Sequence, residues 1–120
     1  MNGEAVIQNL KAIKEAMDLD AFLALFTPDA TVKIGNFPAA NGVAEIDKLF
    51  DLFRTYISRM SFTDSTVEET PTGIIWLSII SFHRKDGTVL TVPDCVILRM
   101  KDDKIHNYHA FLDAHDLFPL

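Results

Sequence analysis

The chain has 120 residues, 48% of them hydrophobic, so it reads as one domain over residues 1–120 that can bury a core without staples. Seventeen acidic against 11 basic residues give a net charge of −6, which argues against nucleic-acid binding because no basic field is available to neutralise phosphates. A lone cysteine, Cys95, excludes an internal disulfide or a cysteine-built metal cage, and no apolar run approaches the roughly 20 residues of a membrane span. Val6, Leu10, Ile13 and Met17 recur at three- and four-residue steps and predict a first helix. Charges mixed into that segment argue against a signal peptide, so a cytoplasmic protein is expected. Asp18 can cap a second helix over 19–26, which Pro28 ends. β-branched residues predict a short strand over 30–34, and the Gly, Asn and Pro of 35–42 predict a loop. A third helix is expected over 43–57, with Ile46, Leu49, Phe50, Phe53 and Ile57 on one side.

The period then changes. A weakly patterned strand over 61–70 precedes a strongly apolar one over 73–84. Asp86-Gly87 predicts a two-residue type I′ hairpin turn into a strand over 88–101. Asp102-Asp103 predicts a second turn into a last strand from 104 to about 113. The order is α+β. Three helices in the N-terminal half would pack on one face of a curved antiparallel sheet and enclose a cavity. Nine phenylalanines suit such an interior.

Two-residue turns would set Ile79 opposite Asp94 and Val96 opposite His109. Side chains alternate faces along a strand. One face would then carry Leu77, Ile79, Val92, Asp94, Val96, His109, Phe111 and Asp113. The other would carry Trp76, Ile80, Phe82, Cys95, Ile97, Arg99, His106 and Tyr108. A bulge near Pro93 would invert the faces beyond it. Both faces are largely apolar. Helices would cover one and a second copy the other, giving a homodimer with Trp76 and Tyr108 as aromatic anchors on its interface.

The stretch Asp18-Leu-Asp-Ala-Phe-Leu-Ala-Leu-Phe-Thr-Pro-Asp-Ala-Thr-Val32 resembles the second helix and first strand of the nuclear-transport-factor-2-like superfamily. So does the helix start Asn41-Gly-Val-Ala-Glu-Ile-Asp-Lys-Leu-Phe50. The ending Lys104-Ile-His-Asn-Tyr-His-Ala-Phe-Leu-Asp113 is similar as well. The resemblance implies a cone-shaped, cystatin-like α+β barrel. This fold hosts isomerases, cyclases, hydrolases, dehydratases and binding modules, so it does not fix a function. The SnoaL-like polyketide cyclase and ketosteroid isomerase branches look nearest. The steroid-isomerase pattern implies a first-helix Tyr, where this chain has Leu10. It implies an Asp after the first strand, where this chain has Lys33-Ile34-Gly35-Asn36. It implies an Asp after a proline on a later strand, and Asp94 matches. The epoxide-hydrolase branch implies an Asp-Arg-Asp set, to which Asp94 and Asp113 could contribute, but Arg99 falls on the other face. The SnoaL-like cyclases imply a carboxylate and often a His in an apolar cavity. Asp94, His109 and Asp113 could play those parts.

Asp94 alternates with Leu90, Val92, Val96 and Leu98. An apolar setting disfavours the charged carboxylate and raises its pKa, which makes a base or a neutral donor near pH 7. A neutral His109 could accept a proton, oriented by Asp94 or by Asp113 near the mouth. Phe22, Phe26, Phe53, Tyr56, Leu77, Val96 and Phe111 are the expected substrate lining. His83, His106 and His115 read as solvated or interfacial. His109, Asp113 and His115 match no zinc spacing, so no metal site is expected. No glycine-rich phosphate loop or nucleophile elbow is present, and no cofactor is expected. The reading is cofactor-free acid–base isomerisation, cyclisation or dehydration of a hydrophobic polyketide- or terpenoid-like molecule. The alternative is a non-catalytic ligand-binding or dimerisation module.

Overall fold

A computed structural model describes residues 2–119. Its elements in chain order are α1 (Gly3–Glu15), α2 (Leu19–Leu23), β1 (Phe26–Ile34), β2 (Ala40–Asn41), α3 (Val43–Tyr56), β3 (Ile57–Thr70), β4 (Gly73–Arg84), β5 (Val89–Lys101) and β6 (Lys104–Phe111). The strands form one curved sheet in the order β2-β1-β6-β5-β4-β3. It is not closed, because β2 and β3 are free edges. β1 runs parallel to β6, so the sheet is mixed where a purely antiparallel one is expected. The three helices lie against its concave face. No described helix is long and apolar enough to cross a membrane.

Local chemistry sets the helix ends. Asn2 accepts from the Ala5 N–H at 3.1 Å to cap α1, and Asp18 accepts from the Ala21 N–H at 3.1 Å to cap α2. The inward stripe of α1 is Gly3, Ile7, Leu10 and Lys14. Val6, Ile13 and Met17, predicted to lead it, flank it half-buried. α2 stops at Leu23, short of the predicted end, because Phe26 already belongs to β1 and the Ile105 N–H bonds the Leu25 carbonyl at 2.8 Å. Pro28 sits where the β1–β6 register shifts between Phe26 and Thr31. A residue without an N–H fits such an irregularity.

Two turns decide which side chains face inward. The β4–β5 hairpin closes with three residues. The Arg84 N–H bonds the Thr88 carbonyl at 2.8 Å, and the Gly87 N–H bonds the Arg84 carbonyl at 3.1 Å. Gly87 takes φ 91, as a type I turn followed by a left-handed glycine bulge requires. This loop sets Ser78, not Ile79, opposite Asp94. The β5–β6 turn does have two residues, Asp102 and Asp103, at φ 51 and 65. Just beyond it Met100 pairs with Ile105 but Arg99 pairs with Asn107, so His106 is an extra residue in β6. Val96 therefore faces Ala110, and His109 faces Ile97.

The concave face consequently mixes the two expected ones. It carries Trp76, Ser78, Ile80 and Phe82 with Asp94, Val96 and Leu98 and with Tyr108 and Ala110, all buried. Trp76 and Tyr108, expected as dimer anchors, are 0% and 2% exposed under the helices of their own chain. The outer face instead exposes Leu77 and Phe111, and Val89 is exposed near the β4–β5 hairpin. Inside, Phe22 stacks on Phe50 at 4.7 Å and meets Tyr108 edge-on at 5.6 Å. The tail after β6 buries Leu117 and Phe118, and Phe118 packs on Phe37, Phe53 and Tyr56. Arg84 donates to the carbonyls of Asp116 and Leu117 and holds that tail down.

Candidate functional site

Three polar side chains meet in the aromatic interior. Lys14 comes from α1, where its place four residues after Leu10 and seven after Ile7 aims it inward. Asp94 comes from β5, turned inward by the three-residue hairpin. Tyr108 comes from β6, turned inward by the His106 bulge. Lys14 Nζ donates to Tyr108 Oη at 2.8 Å. The same ammonium lies over the rings of Phe62 at 5.2 Å, Trp76 at 5.4 Å and Phe22 at 5.9 Å. Such rings offer a cation their negative faces. Lys14 is 5% and Asp94 4% exposed, and Asp94 Oδ1 is buried with no hydrogen-bond partner among the described residues.

Burial governs the charge states. It pulls the Lys14 ammonium from 10.5 to about 8, and the nearby Asp94 charge only partly offsets this. At pH 7 roughly a tenth of Lys14 is then neutral. Burial raises the Asp94 carboxyl, with Lys14 opposing. Burial, reinforced by Asp94, holds the Tyr108 phenol well above its ordinary value, so it stays a neutral O–H. The three line one cavity with Leu19, Phe22, Ile34, Phe50, Phe53, Met60, Ile80, Phe82, Ala110 and Leu112. Its free volume is about 20 Å³, roughly that of one water.

Of the expected catalytic set, only Asp94 is here. His109 lies on the outer face, because the His106 bulge slips β6 by one residue and a one-residue slip exchanges faces. It stacks on Phe111 at 3.8 Å, and partial burial with the Lys33 charge lowers its pKa. Asp113 lies past the end of β6, exposed, where it accepts from the His115 N–H at 3.1 Å. Among the expected lining residues, Phe22 and Phe53 line the cavity. Phe26 and Val96 are buried core outside it. Tyr56 packs on Phe118 and borders a shallow surface groove. Leu77 and Phe111, carried out by the same register changes, are 44% and 48% exposed. The apolar stripe of the first helix does not point to Lys14, and two-residue turns place Tyr108 on the other face. The available signal for Lys14 was its spacing from Ile7 and Leu10. Among the described residues no group of three or more His, Cys, Asp or Glu could hold a metal.

The arrangement separates a proton acceptor from a donor pair. Asp94 offers an unsatisfied carboxylate oxygen. Because Lys14 donates to the Tyr108 oxygen, the phenolic proton is free to point at a ligand. The ammonium behind it strengthens that donor where negative charge develops.

A family model described as a SnoaL-like domain matches residues 7–108. A search of curated proteins finds no significant match. Among solved structures, a nuclear-transport-factor-2-like protein of unknown function from Burkholderia pseudomallei superposes with a TM-score of 0.82 at 15% identity, covering 95% of this chain and 92% of that one. A candidate polyketide cyclase from Pseudomonas putida gives 0.80 at 18% identity, covering 93% and 92%. A protein of ketosteroid-isomerase-like fold from Catenulispora acidiphila, solved in complex with trimethylamine, gives 0.80 at 16% identity, covering 92% and 86%. At these identities the likeness is one of fold.

Proposed function

The chain belongs to the SnoaL-like family, and from that premise we propose that its interior is a site for cofactor-free proton transfer on a small, largely apolar molecule bearing a carbonyl oxygen. The observation that carries this reading is the buried Asp94 oxygen, left without a partner among the described residues in the cavity that the Lys14–Tyr108 pair also lines. Natural cores satisfy nearly all such atoms, so an orphaned one beside a cavity points to a ligand. Asp94 would take a proton from the carbon next to the carbonyl. Tyr108 would donate to the oxygen as enolate charge builds, backed by Lys14. Phe22, Phe50 and Phe53 would exclude water and hold the apolar body. Isomerisation, cyclisation and dehydration all use this enolate step.

The free volume of about 20 Å³ favours a small ligand, or side-chain movement on entry. It also supports a second reading, a domain of this fold filled by its own side chains and without catalysis. Acetone separates the two. In D₂O, loss of its proton signal by NMR reports exchange at the α-carbon. The protein should accelerate exchange, Asp94→Asn should lower the rate about 100-fold, and His109→Ala should match the wild type. A wild-type rate equal to buffer would favour the second reading. The proposal extends to assembly, with a second copy of the chain covering the outer face around Leu77 and Phe111.

A further inference from the structure

We propose that Lys14 is also a covalent nucleophile, condensing with a small ketone or aldehyde in the cavity to form an iminium. The inference deepens the proton-transfer reading and rests on the same cavity. A buried lysine that serves structure is normally paired with a carboxylate. Lys14 feels the Asp94 charge but is not hydrogen-bonded to it: among the described residues its one hydrogen-bond partner is a neutral phenol, and aromatic rings surround it. Burial away from water favours the uncharged amine, the form that attacks a carbonyl, and outweighs the attraction of the ring faces for the ammonium. Desolvation brings Lys14 to about 8, so the neutral form is available near physiological pH. The other needed group is a proton carrier that can give its proton back. Asp94 lines the same water-sized space, its Oδ1 has no partner among the described residues, and burial favours its protonated form.

The step balances within these residues. The Lys14 ammonium passes one proton to Asp94 across the space both line. The freed Nζ lone pair bonds the carbonyl carbon while the C=O π electrons move to oxygen. That oxygen takes the Tyr108 proton, and the alkylated nitrogen returns a proton to the Tyr108 oxygen, leaving a neutral carbinolamine. Asp94 then protonates the carbinolamine hydroxyl. Water leaves as the nitrogen lone pair forms the C=N⁺ bond. The sum is ammonium plus ketone giving iminium plus water, with Asp94 and Tyr108 restored. The iminium acidifies the neighbouring C–H, which Asp94 can then remove.

Acetone with cyanoborohydride tests this on the wild-type protein. Reduction fixes any iminium as an isopropyl-lysine, and peptide mass mapping locates it. The exposed Lys48 serves as the reference. Lys14 should be labelled several-fold faster than Lys48 at pH 7, with a rate rising to half-maximum near pH 8. Asp94→Asn should slow labelling of Lys14 and leave Lys48 unchanged. Labelling of Lys48 with Lys14 unmodified would overturn the inference. So would Lys14 labelling that appears only in urea. If acetone exchange depends on Asp94 while Lys14 stays unlabelled, the covalent step falls and the proton-transfer reading stands. If Lys14 is labelled without accelerated exchange, the covalent step stands and that reading falls.

Discussion

A lysine surrounded by Phe22, Phe62 and Trp76 burdens the fold that holds it. Below about pH 8 both folded and unfolded chains carry the Lys14 proton, and the folded state bears the full cost of the buried charge. Between about 8 and 10.5 the folded chain has released that proton and the unfolded chain has not, so stability rises with pH. The rise amounts to about 3 kcal/mol. Urea unfolding of the wild type against Lys14→Met should show the wild type gaining that much on the variant from pH 7.5 to 10.5. Flat parallel profiles would contradict the burial argument. Asp94 was legible in the sequence, since a carboxylate after Pro93 alternates with apolar residues along a strand. Lys14 is not legible, because the periodicity that marks α1 is carried by apolar residues and a lysine does not announce burial. A lysine near an apolar stripe ordinarily lays its stem there and keeps its head in water. Only the structure shows that here the head, too, is inside.

One turn a residue longer than expected and one bulge redistributed the site. Asp86-Gly87 reads from sequence as a two-residue turn, and Gly87 does take the left-handed conformation. The loop nevertheless includes Lys85, which moves Asp94 to the face of Trp76. The His106 bulge leaves no mark in composition. It exchanges His109 for Tyr108 on the concave face. At the bulge the His106 Nδ1 lies 3.0 Å from Thr27 Oγ1 on β1, a contact between strands distant in sequence. Glycine substitutions separate local conformation from packing. Gly87→Ala adds a Cβ into open space and pays only for its positive φ, so thermal unfolding should register a loss of about 1 kcal/mol. Gly73→Ala drives its Cβ into the Leu98 carbonyl of the paired strand. It should lose at least about 3 kcal/mol, or fail to fold. Equal effects would refute the assigned register.

The architecture of the whole molecule followed from element order. Helices, a strand, a helix and a meander leave few arrangements besides helices on a bent sheet. The parallel β1–β6 pair was not legible, because it joins segments some 75 residues apart and no local signal marks it. The open edges at β2 and β3 follow from the same topology. Covering the outer face with a second copy would bury Leu77 and Phe111. On that proposal the wild type should sediment as a dimer, and Phe111→Lys should shift it toward monomer. A wild type that remains monomeric at high concentration would exclude that assembly.

The interior is the claim on which the chemistry depends, and NMR titration of ¹⁵N-lysine-labelled protein reads it directly. The Lys14 resonance, identified by its loss in Lys14→Met, should titrate near pH 8. In Asp94→Asn, with the favourable charge removed, its midpoint should move lower still. A Lys14 midpoint at the ordinary 10.5, or one that Asp94→Asn leaves in place, would contradict a desolvated lysine coupled to a buried carboxylate.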